Sequence, residues 1–275
     1  MCVPGCQEAV RAALNRRGFF KGAAAAGFAA SAVAPAEAAW WSPASRKFKS
    51  VIDLTHTMSP DFPTFFGVPG IEVQKQYEFK KDGFNLNWWR ILEHAGTHLD
   101  APIHFSENGA TVDRLLAEEL VLPLAVIDVR KQAEKNPDYA VGLDDIRAWE
   151  KANRKLPDNC CVAMLSGWGK HVGDAEKYTG KDASGTFHFP GFAPELAAWL
   201  IKERKVVGLA VDTLSLDPGA SKDFKTHTTW LPTGRWGLEN VANLDSVPNV
   251  GSTLVVGVAK VKGATGGPAR LIALA

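Results

Sequence analysis

Phe192-Ala-Pro-Glu-Leu-Ala-Ala-Trp-Leu-Ile-Lys-Glu-Arg204-Lys-Val-Val-Gly-Leu-Ala-Val-Asp212 is the stretch that decides the fold class. Pro194 stands near the start, where a helix has no use for its missing N–H, and apolar residues gather on one face as far as Glu203. Arg204-Lys205 closes that helix, and the β-branched run Val206–Asp212 follows as a strand with Asp212 at its C-terminal end. The alternation recurs outward from here. Gly142-Leu-Asp-Asp-Ile-Arg-Ala-Trp-Glu-Lys opens with capping chemistry and continues apolar at Leu143, Ile146 and Trp149. Short strand-like runs occupy 50–54, 71–79, 86–92, 124–129, 160–165 and 253–261. No Pro/Ser-rich linker or internal repeat interrupts residues 39–275. The pattern therefore predicts one α/β domain, a mixed β-sheet flanked by helices.

The first 38 residues belong to a different category. Asn15-Arg16-Arg17-Gly18-Phe19-Phe20-Lys21 is a twin-arginine pattern, the stretch from Gly22 to Pro35 is small and weakly apolar, and Ala36-Glu37-Ala38 supplies an A-x-A cleavage site. This predicts a twin-arginine signal peptide over 1–38, export to the periplasm or beyond, and a mature domain over 39–275. The apolar stretch is well short of the roughly 20 residues needed to span a bilayer, and no lipobox cysteine follows, so no membrane anchor is expected after cleavage. Cleavage leaves only Cys160 and Cys161, whose surroundings (Asn-Cys-Cys-Val-Ala-Met-Leu) describe a buried strand rather than a strained vicinal disulfide. The formal net charge is +1 and there is no basic run, so composition gives no case for nucleic acid or an anionic membrane as partner. Nine tryptophans suit core and dimer packing, or a stacking platform for an aromatic substrate.

Chemistry concentrates in His94-Ala-Gly-Thr-His98-Leu-Asp100-Ala-Pro-Ile-His104, which holds three of the seven histidines. His94, His98, Asp100 and His104 share one parity and would lie on one face of an extended chain. A straight strand, however, carries His94 and His98 roughly 13 Å apart at Cα, near the limit for sharing one ion. A turn at Gly96 brings them closer, and Pro102 argues against a long helix. Two imidazoles and a carboxylate suit Zn²⁺ or Mn²⁺ and leave positions open for water and substrate, with Thr97 placed to orient a ligand. Asp53 reads as a brace for the site or a strand cap. His56, His171 and His188 have no assigned role, and Asp212 and Asp217 read as turn formers around Thr-Leu-Ser-Leu.

The eleven-residue motif resembles the HxGTHxDxPxH signature of the cyclase-like metal-dependent hydrolases, a family that takes in bacterial kynurenine formamidases (arylformamidases) and isatin hydrolases. The resemblance continues through Val51-Ile-Asp-Leu-Thr-His, Ser166-Gly-Trp-Gly-Lys, Phe189-Pro-Gly-Phe, Val211-Asp-Thr-Leu-Ser-Leu-Asp-Pro-Gly and Gly263-Ala-Thr-Gly-Gly-Pro-Ala-Arg. It implies a swivelling β/α/β fold, metal ligands at His94, His98 and Asp100, and a second cluster at His227 and Glu239. It also implies one or two ions of Zn²⁺ or Mn²⁺, and a homodimer or a homotetramer built from dimers. His104 takes the acid–base position or helps to hold the metal environment. Where the formamidases carry a Trp-Pro-Gly-type segment, this chain has Ser59-Pro-Asp-Phe-Pro-Thr-Phe65-Phe66, so Phe65 and Phe66 either sandwich a planar substrate ring or belong to the core.

The expected reaction is cleavage of a carbon–nitrogen amide bond, in a formamide or a cyclic amide such as isatin, by metal-activated water. His104, near its ordinary pKa of about 6.5, would be the general acid/base. Leu165-Ser166-Gly167-Trp168 lacks the G-x-S-x-G pattern of a serine nucleophile. Two alternatives use the same centre: a lactone hydrolase or dehydratase, and a non-catalytic exported metal-binding protein.

Overall fold

The computed structural model describes residues 48–275; the signal peptide expected over 1–38 and the start of the mature domain lie outside the described residues. The strands are β1 (Val51–Asp53), β2 (Ile71–Tyr77), β3 (Leu86–Ile91), β4 (His98–Asp100), β5 (Val121–Asp128), β6 (Ala140–Val141), β7 (Cys160–Leu165), β8 (Gly191–Phe192), β9 (Val206–Val211), β10 (Trp236–Glu239), β11 (Ser252–Val258) and β12 (Gly266–Leu274). The helices are α1 (Phe79–Asp82), α2 (Arg130–Lys135), α3 (Leu143–Asn153), α4 (Ala175–Thr179), α5 (Pro194–Glu203) and α6 (Lys225–Trp230). Each run read as a strand is one, and both predicted helices are present as α3 and α5. The pattern missed β4, β6, β8, β10 and β12. The first four are too short for a period to register, and β12 opens on Gly-Gly-Pro, which reads locally as a turn.

The main sheet runs β1-β12-β11-β5-β7-β9-β10-β4, parallel from β5 through β7 and β9 to β10 and antiparallel elsewhere. It is mixed, as expected, but it is not an open sheet flanked by helices, because it closes on itself. β4 pairs on one side with β10 (Asp100 opposite Gly237) and on the other with β12 (Asp100 opposite Gly266). The length of β12 makes this possible: residues 266–268 reach β4 while 269–274 pair with β11.

Closure gives the strands an inside and an outside, and side chains alternate between them. Along β7, Cys161, Ala163 and Leu165 join the interior with Leu99, Leu124, Trp236, Leu238 and Leu271. Cys160, Val162 and Met164 instead meet Ile146, Trp149, Leu196 and Leu200 of α3 and α5 on the outside. The helices thus cover the outer face of the parallel strands, while the interior is packed with the sheet's own side chains. Trp236 is fully buried there, and a burial of that size stabilises by roughly 1.5–3 kcal/mol. Its ring lies on Gly208 of β9, where a β-carbon would come within 2.1 Å of it, so no larger residue fits that position. The two cysteines are free and buried on opposite faces, and burial pushes the Cys160 thiol up to about 12. β2 and β3 form a separate hairpin whose apolar side chains are largely exposed.

Candidate metal centre

In β4, Leu99 points into the interior, so His98 and Asp100 on either side of it point outward. In β10, Leu238 does the same and leaves Glu239 facing out, directly across from His98 in the antiparallel register. Both cross-strand neighbours of Asp100 are glycines, Gly237 and Gly266. A β-carbon on Gly266 would strike the His94 ring at 2.5 Å, and the missing side chains are what admit the aspartate and the histidine together. His94 reaches the site by the turn at Gly96, which takes φ +65°, as the spacing required. α6 carries His227, which is buried.

The structure therefore brings together His94, His98, Asp100, His227 and Glu239. Asp100 Oδ1 lies 2.6 Å from His94 Nδ1 and 3.2 Å from His98 Nε2, and its Oδ2 lies 3.5 Å from His227 Nε2. Glu239 faces His227 Nε2 at 3.1 Å and His98 Nε2 at 3.4 Å. Asp100, His98, His227 and Glu239 are all buried.

The outer hydrogen bonds assign the ring tautomers. His98 Nδ1–H donates to the Gly96 carbonyl at 2.8 Å, and His227 Nδ1–H donates to Asp217 at 2.6 Å. Each ring then turns its Nε2 toward two carboxylates. His98 Nε2 and Asp100 Oδ2 are buried and have no hydrogen-bond partner, which is costly unless a positive charge sits between them. Burial alone would discharge His98, but the Asp100 and Glu239 carboxylates outweigh it and raise the ring to about 10. His227 is raised well above its ordinary value against the same burial penalty, by Asp100, Asp217 and Glu239. Asp100 is itself held far below the usual carboxylate range, the surrounding His227, His94 and His98 rings overcoming the effect of burial. The cluster calls for a cation. His94, Asp100 and His104 form one group with ligand spacing, and His98, Asp100 and Glu239 form another.

His104 sits on a single turn, Pro102–Phe105, with its ring stacked on that of His94 at 3.7 Å. Among the described residues none makes a hydrogen bond to its ring nitrogens. Its expected pKa near 6.5 needs correction: burial, with His94 and His227 adding to it, pushes the ring down to about 4.

Beside these groups lies a cavity of about 240 Å³, walled by Phe65, Phe66, Phe105, Leu214 and Phe224. Phe66 is 64% exposed at its mouth and is no core residue, whereas Phe65 is half-buried against Phe187 at 4.7 Å. Phe105 lies on His227 at 4.7 Å and Phe224 is 5.6 Å from Phe105. No tryptophan among the described residues lines the cavity. A wider depression of about 650 Å³ around Lys155, Asp158, Lys205 and Arg235 is open, charged and remote from the converging rings.

Several residues have roles that the pattern did not disclose. Asp217 is no mere turn former, because besides His227 Nδ1–H it accepts the backbone N–H of Thr226 and of His227. Asp212 accepts the N–H groups of Ser166, Gly167 and Trp168 and so shapes that loop; burial lifts it to about 6 despite those bonds. Thr97 makes no hydrogen bond to a candidate ligand side chain: it accepts from His56 N–H and donates to the Asn240 carbonyl next to Glu239. Asp53 pairs with Arg270 at 2.6 Å on the surface, and His188 pairs with Asp138, both outside the site. Phe105 directly follows the histidine motif, which was a usable signal; nothing local marked Phe224.

A family model described as "Putative cyclase" matches residues 52–218. The isatin hydrolase of Roseibium aggregatum is 31% identical over 241 residues, 82% of this chain and 91% of that protein. The kynurenine formamidase of Paracidovorax citrulli is 28% identical over 195 residues, 68% of this chain and 79% of that protein. Among solved structures, isatin hydrolase A from Ralstonia solanacearum superimposes with a TM-score of 0.77 at 32% identity, covering 82% of this chain and 91% of that one.

Proposed function

The chain belongs to the cyclase family and is a hydrolase, and from that premise we propose that it cleaves a carbon–nitrogen amide bond in a small aromatic substrate, a formamide or a cyclic amide. The observation that carries this is the convergence of three imidazoles on the two buried carboxylates Asp100 and Glu239 beside an aromatic-walled cavity. His94, His98, Asp100, His227 and Glu239 would hold one or two ions, and imidazoles mixed with carboxylates suit Zn²⁺ or Mn²⁺. Such an ion, when bound, supplies the Lewis acidity that activates water and polarises a carbonyl. Asp100 lies between the two ligand groups and is the residue able to serve both.

Burial leaves the His104 ring neutral at ordinary pH, with a nitrogen free to accept a proton from attacking water and pass it to the departing nitrogen; its lowered basicity favours the second, proton-donating step over the first. Phe65, Phe66, Phe105 and Phe224 supply flat apolar walls against which a planar ring packs, while the cavity's polar side holds the reacting carbonyl near His104.

The test is elemental analysis of protein purified from its native host without chelator or affinity resin, followed by assay on N-formylkynurenine, isatin and simple lactones in parallel. Stoichiometric metal with turnover of the amides is expected. Turnover of lactones alone, or metal binding with no turnover, would replace this reading by one of the two alternatives. Asp100→Asn should lose metal and about a hundredfold or more in rate.

The twin-arginine pattern and the A-x-A site support export to the periplasm, checked by following a reporter fused to residues 1–38. The hairpin β2–β3 supports a homodimer. A lone two-stranded hairpin is marginal in water, yet this one exposes Val73, Leu86, Trp88, Trp89 and Ile91, with the adjacent tryptophans on opposite faces.

A further inference from the structure

We propose that Glu93 and Thr265 form a positioning relay that holds His94 as its Nε2–H tautomer and so presents Nδ1 to the metal, an inference that rests on the metal-dependent reading above. The Thr265 hydroxyl has one proton, and it goes to Glu93 Oε2 at 2.5 Å; the Thr265 backbone N–H reaches the same oxygen at 3.3 Å. A carboxylate of this kind only accepts, so Thr265 Oγ1 can only accept from its other neighbour, His94 Nε2, at 2.9 Å. His94 Nε2 must therefore carry the hydrogen. Its Nδ1 then faces Asp100 Oδ1 at 2.6 Å, and a lone pair at that distance from a carboxylate is repulsive unless a cation or a second proton stands at it. The opposite tautomer would need the Thr265 hydroxyl to donate to His94, and Glu93 has already taken that proton.

The two relay residues come from distant parts of the chain. Glu93 follows β3, and Thr265 precedes β12 in the Gly263-Ala-Thr-Gly-Gly segment, whose purpose the catalytic reading leaves unused. That segment is built for the contact. Gly266 leaves space for the His94 ring, and the Thr265 carbonyl accepts from Ala101 N–H at 2.9 Å, tying the relay to the end of β4. His98 is oriented by the Gly96 carbonyl and His227 by Asp217, so the relay supplies for His94 what those acceptors supply for the other two rings.

The experiment measures Zn²⁺ affinity by competition with a chelator at fixed pH, in wild type, Thr265→Val, Thr265→Ser and Glu93→Ala, with long-range ¹H–¹⁵N spectra of the zinc-loaded proteins. Thr265→Val should weaken binding by about 10–100-fold, as loss of a ligand's outer partner does, and Thr265→Ser should restore it. Glu93→Ala, which leaves β12 untouched, frees the Thr265 proton to turn toward Nε2 and should weaken binding in the same direction. Wild type should show a protonated Nε2 and a coordinated Nδ1 at His94. Wild-type affinity in both Thr265→Val and Glu93→Ala, or a coordinated Nε2 in wild type, overturns the relay alone. Wild-type protein that takes up no zinc or manganese overturns the metal-dependent reading itself.

Discussion

Asp217 accepts the Nδ1–H of His227 at 2.6 Å, and this one bond aims the opposite ring nitrogen at Glu239, 3.1 Å away. The same carboxylate accepts the backbone N–H groups of Thr226 and His227 at 2.7 and 3.1 Å, so it anchors the first turn of α6 as well as the ring. Asp217→Asn keeps an acceptor but loses the charge that matches the imidazole, and is expected to reduce metal affinity by about tenfold or more. Asp217→Ala strands buried N–H donors besides, and should lower stability by roughly 1–3 kcal/mol. Chelator competition and denaturant melts separate the two effects; equal metal affinity in Asp217→Asn and wild type would show that the bond is not used.

His104 is expected to act on protons and not on metal retention. His104→Ala should lower kcat by about 10²–10⁴-fold while bound metal remains stoichiometric. Parallel loss of metal would make it a ligand, as its grouping with His94 and Asp100 allows.

Phe224 occupies the left-handed region at φ +49°, a position that strains a bulky side chain, immediately before the helix that carries His227. Strain retained beside a cavity points to a use for the ring. Phe224→Gly should relieve the backbone by about 1–2 kcal/mol while removing one wall of the pocket, giving a higher KM for an aromatic amide and a smaller change for an aliphatic one. Equal changes for both substrates would assign the ring to folding alone.

Away from the site, Glu150 and Arg204 make a two-pronged, half-buried pair at 2.8 Å on both prongs, with the guanidinium also over Trp199. The Arg204 hydrogen bonds outweigh burial and hold the Glu150 carboxyl below its usual 4.5. A carboxylate depressed in the folded state contributes stability above its unfolded pKa, and that contribution disappears as pH falls through the folded value. Stability should therefore decline more steeply below about pH 4.5 in wild type than in Glu150→Gln. Superimposable pH–stability curves for the two proteins would remove the pair from the account.

Trp88→Glu with Trp89→Glu should convert a dimer into a monomer by analytical ultracentrifugation while leaving the main sheet folded, because 63% and 64% of these side chains are already exposed within one chain. An unchanged sedimentation coefficient would show that the hairpin is not a dimer contact.

What the sequence determined by itself was local. The helix over Pro194–Glu203 and the strand after it follow from hydrophobic period and turn chemistry, and the turn at Gly96 follows from the reach of two imidazoles. The parity of His98 and Asp100 was legible too, because alternation is a property of any extended backbone. The tertiary structure decided who faces whom. Glu239 meets His98 only through the β4–β10 register, in a sheet that closes because the last six residues of β12 pair with β11 while its first three reach β4. Asp217 looked like a turn residue and Thr265 like part of a glycine-rich loop, since what each does is set by a ring distant in sequence. The pKa of His104 likewise came from burial, which no stretch of eleven residues contains. Period and turn propensity act between near neighbours, whereas register, closure and desolvation exist only once the interior has packed.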